Sequence, residues 1–455
     1  MIIEFTLAMM TSKYGHRVSI LLDSGLLRHH DSEHLVDEDR APRTNAALVK
    51  CKKIILLRLI GLLARLANID LIFLSKIEDA ENLKLSPHEK NHVISSCKRY
   101  SSNPKFLAEI EDQTYYRDSE YNARLLRANI VRLHEKFRWD TVVSSHGVYV
   151  TWGIIHDYLG SRGANTRVYL NCIYETGSLW ISKNASQKVF LEYSPKSELP
   201  DHGYNRLRKR LRYESPDTQI YFKGERVDIN SRRLEHGITF GLFPNIIWDG
   251  AIIERDRVFS GLLDWMLTTI NTLRGSENKL VIRFHPAEST LTQWAESLEE
   301  IVVGLVPDLY QIPNIMVIHS DENIDLYGLI REKIDVGLVY DGILGLEITE
   351  LNKPVVCVAN TRYMRAGFCF EVRDKISYEK VLLGKEDLTN WFNENRKVIK
   401  SNLRDYSNAY LGSDLYKLAL YEANYWDVNL RYEREAYDPV NPDNVSLYNR
   451  LSGLA

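Results

Sequence analysis

The chain has 455 residues, enough at roughly 100–200 residues per domain for two or three domains, and its 44% apolar and 26% charged residues are the mix of a globular protein with large cores. A formal net charge of -3 excludes the global basic field that recruits nucleic acid. Five cysteines, Cys51, Cys97, Cys172, Cys357 and Cys369, form no CxxC pair, which argues against a zinc-thiolate site or a disulfide framework and suits a reducing compartment.

The opening, MIIEFTLAMMTSKYGHRV, lacks the basic n-region and long apolar run of a signal peptide and reads as a helix over 3–13. A strand follows at HRVSILLD, 16–23. A Rossmann-like unit usually opens on a strand, so this order predicts either that its first strand lies upstream of residue 1 or that the unit is abbreviated. The most apolar run, IILLRLIGLLARL at 54–66, sits in a helix predicted over 50–66 and carries Arg58 and Arg65. It is too short to span a bilayer. It predicts a mostly buried helix with one solvated stripe, docking on a membrane surface being the alternative. Strands are then predicted at 68–75, 140–145 and 166–172, and helices at 84–98, 117–137 and 150–161.

A polar stretch without clear period runs from about 195 to 236 and contains KSELPDHGYNRLRKRLRYESPD. Its basic run, Arg206, Arg208, Lys209, Arg210 and Arg212, reads as a solvated face, with approach to anionic lipid or a phosphorylated acceptor as the alternative. The second half alternates strands at 238–244, 279–286, 315–320, 336–341 and 354–360 with helices at 256–273, 290–303, 324–332 and 344–351. Strands separated by crossover helices predict parallel α/β sheets. The tail reads as helical to about residue 434 and irregular beyond. The expected units are 1–235, 236–400 and a helical tail over 401–455.

Four segments carry candidate chemistry. In VIRFHPAE, 281–288, Arg283 and His285 lie two apart on a strand, share a face and reach its carboxyl end, where parallel sheets bind ligands. A phosphate is their natural partner, and a surface histidine stiffened by a Pro turn is the plain alternative. In VGLVYDGILGLEITELNKPVVCVA, 336–359, a buried strand leads through Gly342 and Gly345 into a helix bearing Glu347. Such a turn lets backbone approach a phosphate at a helix start, and Glu347 suits ribose hydroxyls. FPNIIWDGA, 243–251, places Asp249 after a strand, as a catalytic carboxylate or a helix cap. SSHGVYVTWG, 144–153, places His146 in a strand-to-helix turn, toward a ligand or satisfied locally. No DxD motif and no His/Asp set with ligand spacing stands out, so no metal site is expected.

Together RFHPAE, YDGILGLEITELNKPVV, NTRYMRAGF, FPNIIWD and SSHGVY resemble the bacterial capsule polysaccharide biosynthesis proteins, which include the Kdo transferases, across roughly residues 140 to 375. The His-Pro pair is also similar to that of sialyltransferase-like enzymes using CMP sugars. The resemblance implies a GT-B glycosyltransferase: two Rossmann-like domains facing a cleft, with the donor on the C-terminal one and the acceptor on the N-terminal one. It implies that His285 binds the donor phosphate, with Arg283 beside it, that Glu347 contacts the ribose, and that the turn from Gly342 to Gly345 offers backbone N–H groups. Asp249 takes the place of the catalytic carboxylate, and His146 and Tyr363 join the cleft. Two departures stand out: Gly342-Ile343 replaces the relatives' Ser-Thr, losing two hydroxyl donors, and Asn352 replaces a Gly, a position Asn fills in the αL conformation. The implied activity is transfer from a nucleotide-sugar donor to a cell-surface polysaccharide or lipid-linked precursor, at the cytoplasmic face of the membrane with peripheral association, without cofactor or metal. A teichoic-acid-type polyol-phosphate transferase using a CDP donor, and a degenerate non-catalytic partner, stay open beside it.

Overall fold

The computed structural model describes residues 2–23, 25–28, 60–100, 114–171, 178–183, 200–216, 218, 227, 237–247, 252, 255–290, 297–412, 415–417, 419, 421–423, 428–430, 438 and 440–452. The fold class is α/β; the largest sheet is parallel, as the alternation of elements predicts, whereas the four-stranded sheet of the first half is mixed.

The second half is built on six parallel strands: β6 (Thr239–Phe243), β7 (Lys279–Arg283), β8 (Ile315–Ile318), β9 (Val336–Val339), β10 (Val355–Cys357) and β11 (Phe370–Glu371). β6, β9 and β10 are buried along their whole length, as expected of strands covered on both faces. Phe240, Leu242, Leu280 and Ile282 join one core with α6 (Leu262–Leu273), α8 (Leu298–Leu305) and α11 (Lys375–Leu382). Their strand neighbours Phe243 and Val281 join a second core with α9 (Leu326–Lys333), α10 (Leu344–Glu350) and α12 (Leu388–Gly412) on the opposite face. The spatial order is β11-β10-β9-β6-β7-β8. Numbered within this sheet, that is 3-2-1-4-5-6 read from its other edge, the doubly wound Rossmann order, and the order reverses between β6 and β9.

The first half carries β1 (Val18–Leu22) parallel to β2 (Ile69–Phe73), and a second sheet of β3 (Thr141–Ser145), β4 (Asn165–Asn171) and β5 (Ser178–Ser182). Its helices are α1 (Ile2–Lys13), α2 (Pro87–Tyr100), α3 (Thr114–Phe137) and α4 (Val150–Ser161). Within the apolar run, the described helical turn over 60–66 buries Ile60 and Ala64 but leaves Leu62, Leu63 and Leu66 exposed, so this part is not the mostly buried face expected. No helix among the described residues is long and apolar enough to cross a membrane.

The tail departs from the expected helix. α12 ends at Gly412, and β12 (Leu415–Lys417), β13 (Tyr421–Ala423) and β14 (Val428–Leu430) follow before α13 (Pro442–Ser452). β12 pairs antiparallel with β5. On α13, Tyr448 stacks on Tyr14 at 3.9 Å, and the Arg450 carbonyl accepts from Arg167 Nε at 3.0 Å. A helix cannot hydrogen-bond a sheet edge, and the open edge of β5 selects a strand instead.

The basic stretch is corrected in part. It forms α5 (His202–Arg210), which packs along α12. Arg206 donates to the Leu411 carbonyl and Arg210 is buried, so these two serve the packing of α5, while Arg208, Lys209 and Arg212 are exposed and form the solvated face expected.

Candidate functional site

At the switch point, the loop after β6 runs Pro244-Asn245 and the loop after β9 runs Tyr340-Asp341-Gly342 into α10. Asn245 Oδ1 accepts from the Asp341 N–H at 3.0 Å, lacing the two loops together. Gly342 sits at φ 110°, a conformation that L side chains avoid, so the turn keeps its glycine.

Asp341 is fully buried and meets two guanidinium groups. Arg362 Nε donates to its Oδ2 at 3.1 Å and Arg255 Nε lies 3.6 Å from the same oxygen. Arg362 also reaches Tyr410 Oη at 3.1 Å, and Arg255 donates to the Asn360 carbonyl at 2.9 Å. Burial pulls the Arg255 guanidinium below its usual value, against the opposing pull of Asp341. Asp256, bonded to Tyr340 Oη, brings a second carboxylate to the same loops, so two guanidinium groups and two carboxylates gather at the carboxyl edge of the sheet. Arg362 keeps 19% of its side chain exposed there. Sequence reasoning missed this trio because its members are separated by 86 and 21 positions, with no local motif.

The expected donor residues are distributed unevenly around this crevice. Arg283 is buried and donates to the carbonyls of Phe284, His319 and Glu322, clamping the loops that leave β7 and β8. Burial lowers its pKa to about 10. His285, at the end of β7, accepts at Nδ1 from the Ala287 N–H at 3.1 Å, so Nε2 carries the proton and is the donor. Burial, reinforced by the Arg283 charge, lowers its pKa to about 4, and the ring is neutral at pH 7. Glu288, at the start of the short α7 (Ala287–Thr290), is buried, and burial pushes its pKa up to about 8. The turn after β7 thus holds two uncharged titratable groups at neutral pH, of which only His285 was singled out from sequence.

Gly345 lies under Tyr363: a Cβ there would stand 2.1 Å from Tyr363 Oη, so the ring's close approach requires glycine. That hydroxyl is buried with no hydrogen-bond partner among the described residues. Glu347 is buried, accepting from Arg210 Nε at 2.6 Å and from Tyr327 Oη at 2.9 Å, so its carboxylate already has partners within the protein. Asp249 lies outside the described residues. In the first half, His146 takes φ 51° in the turn after β3, meets Ser145 Oγ at 2.5 Å through Nδ1, and stacks on Trp152 at 5.3 Å.

The expectation that no His/Asp set has ligand spacing is corrected by α2. His88 and His92, four apart on one helical face, converge with Asp157 of α4, their ligand atoms all within 4.8 Å of one another. The third member is 65 positions from His92, beyond any local spacing rule.

The second half is therefore a Rossmann-ordered α/β unit whose switch point, the place where open α/β sheets bind ligands, carries the cluster of Asp341, Arg255 and Arg362. No family model matches the chain, and no curated protein matches it. Among solved structures, the chain is similar to the beta Kdo 2,7 transferase KpsC of Thermosulfurimonas dismutans, at 12% identity and a TM-score of 0.38, over 72% of this chain and 89% of that one. It is similar to HepE of Anabaena, solved with UDP-glucose, at 12% identity and a TM-score of 0.30, over 90% and 91%. It is also similar to the UDP-GlcNAc 2-epimerase of Neisseria meningitidis, at 10% identity and a TM-score of 0.26, over 99% and 97%.

Proposed function

We propose that this chain is a glycosyltransferase of GT-B type that holds a nucleotide-activated sugar at the switch point of its second sheet. The observation that carries the reading is the crevice between β6 and β9, where the Gly342 turn adjoins the Asp341, Arg255 and Arg362 trio. Phosphate is met there by Arg362 and by backbone N–H groups of the turn, with His285 donating through neutral Nε2. Glu347, held by Arg210 and Tyr327, anchors α10 behind the turn. Asp249 supplies the catalytic carboxylate, as base for the acceptor hydroxyl or as covalent trap for the sugar. The acceptor is a polysaccharide or lipid-linked saccharide at the cytoplasmic face of the membrane.

Incubating the purified chain with CMP-, UDP-, GDP- and CDP-linked donors and a panel of saccharide acceptors, and following nucleotide release, tests this. One donor class is expected to turn over, with Asp249→Asn binding nucleotide within a few-fold and losing at least ~10² in turnover. Near-normal turnover in that variant reduces Asp249 to a helix cap, since Asn caps about as well as Asp. The occupied Glu347 favours one second reading, a nucleotide-binding but non-catalytic partner, for which binding without turnover of any donor is the expected result.

A further inference from the structure

His92 is buried, with 3% of its side chain exposed, and its Nδ1 is bonded to the Val148 carbonyl. A carbonyl only accepts, so Nδ1 carries the proton and the neutral ring has a bare lone pair at Nε2. That nitrogen lies 2.6 Å from Asp157 Oδ2, and His88 Nε2 lies 2.7 Å from the same oxygen. A carboxylate oxygen offers only lone pairs. His88 can donate a proton to that oxygen as a neutral ring, but His92 and Asp157 face each other lone pair to lone pair, so either the buried His92 ring carries a second proton or one cation is shared by all three groups.

We propose that His88, His92 and Asp157 bind one divalent transition-metal ion, zinc above all, which ties α2 to α4 and fixes the turn from Ser145 to Val148. Two imidazoles and one carboxylate are the donor set of zinc and its neighbours, whereas calcium and magnesium take oxygen ligands. The surroundings suit a metal. His92 Nδ1 donates to a backbone carbonyl, the contact that orients a ligating histidine, and the other carboxylate oxygen of Asp157 lies 3.1 Å from His156 Nδ1. The ion has an entry path, because His88 is 42% and Asp157 26% exposed. Zinc bonds of about 2.0–2.1 Å set tetrahedral ligand atoms about 3.3 Å apart, so both nitrogen–oxygen spacings open by about 0.6–0.7 Å on loading, shifts that the partly exposed Asp157 and His88 side chains take up by rotation while His92 stays in place. Three protein ligands leave a fourth position for water. Nothing in this site depends on the glycosyltransferase reading.

The test strips the full chain with chelator and titrates Zn²⁺ against a chromophoric competitor, with the melting temperature followed in parallel. One ion per chain is expected, with a rise in melting temperature that excess Mg²⁺ does not reproduce. His88→Ala, at a half-exposed position, is expected to fold as well as the metal-free parent, to weaken binding by about 10²-fold and to lose the thermal shift. His202→Ala, a surface histidine elsewhere, is expected to leave binding unchanged. Absence of saturable binding at one ion per chain, or binding by His88→Ala equal to the parent, overturns the proposal.

Discussion

The turn His285-Pro286-Ala287-Glu288 makes a prediction at the level of single groups. His285 has its pKa lowered to about 4 from an ordinary 6.5, so the folded chain binds fewer protons there than the unfolded one; its stabilising contribution is present above 6.5 and is lost as pH falls toward 4. Glu288 is raised to about 8 from 4.5, so its contribution is present below 4.5 and is lost as pH rises through 8. Between 4.5 and 6.5 the two slopes oppose each other, and above 6.5 only Glu288 acts. Urea denaturation across pH is therefore expected to show stability falling from pH 6.5 to 8, with Glu288→Gln abolishing that fall. An equal fall in the variant assigns the slope to other groups. The importance of this turn is legible in RFHPAE, and the neutrality of both side chains is not, because burial is set by residues that pack from elsewhere in the chain.

At the scale of elements, the contact between α5 and α10 is the least legible. Arg210 reads as one of five basic residues in a polar stretch, and Glu347 as a ligand-binding carboxylate, yet they form a buried pair 137 positions apart. The pair is invisible to any local pattern because it needs α5 laid along α12 first. Removing one partner strands a buried charge. Arg210→Met is expected to cost about 3–5 kcal/mol in chemical denaturation, and Arg210→Met with Glu347→Gln to regain most of it. A loss within about 0.5 kcal/mol for Arg210→Met contradicts a buried pair. By contrast, the fully apolar runs of β6, β9 and β10 are read directly, since strands covered on both faces have no polar alternation to confuse them. β5 and β12 escape reading because their pairing joins residues more than 230 positions apart.

At the scale of the whole molecule, the alternation of strands and helices discloses an α/β chain, and the strand order turns that class into a location. Only with β6 beside β9 do the 245, 341 and 362 loops meet, and Arg362 then stands at a crevice that no single motif describes. The central claim is that this crevice holds the nucleotide of an activated sugar. Its most direct measurement is thermal stabilisation by CMP-, CDP-, UDP- and GDP-linked ligands, on the parent chain and on Arg362→Gln. One nucleotide class is expected to stabilise the parent by about 2.7 kcal/mol at 100 times its Kd, with Arg362→Gln binding it at least ~10-fold more weakly through loss of a charge-assisted contact. Stabilisation by none of the four, or equal affinity in the variant, contradicts the account.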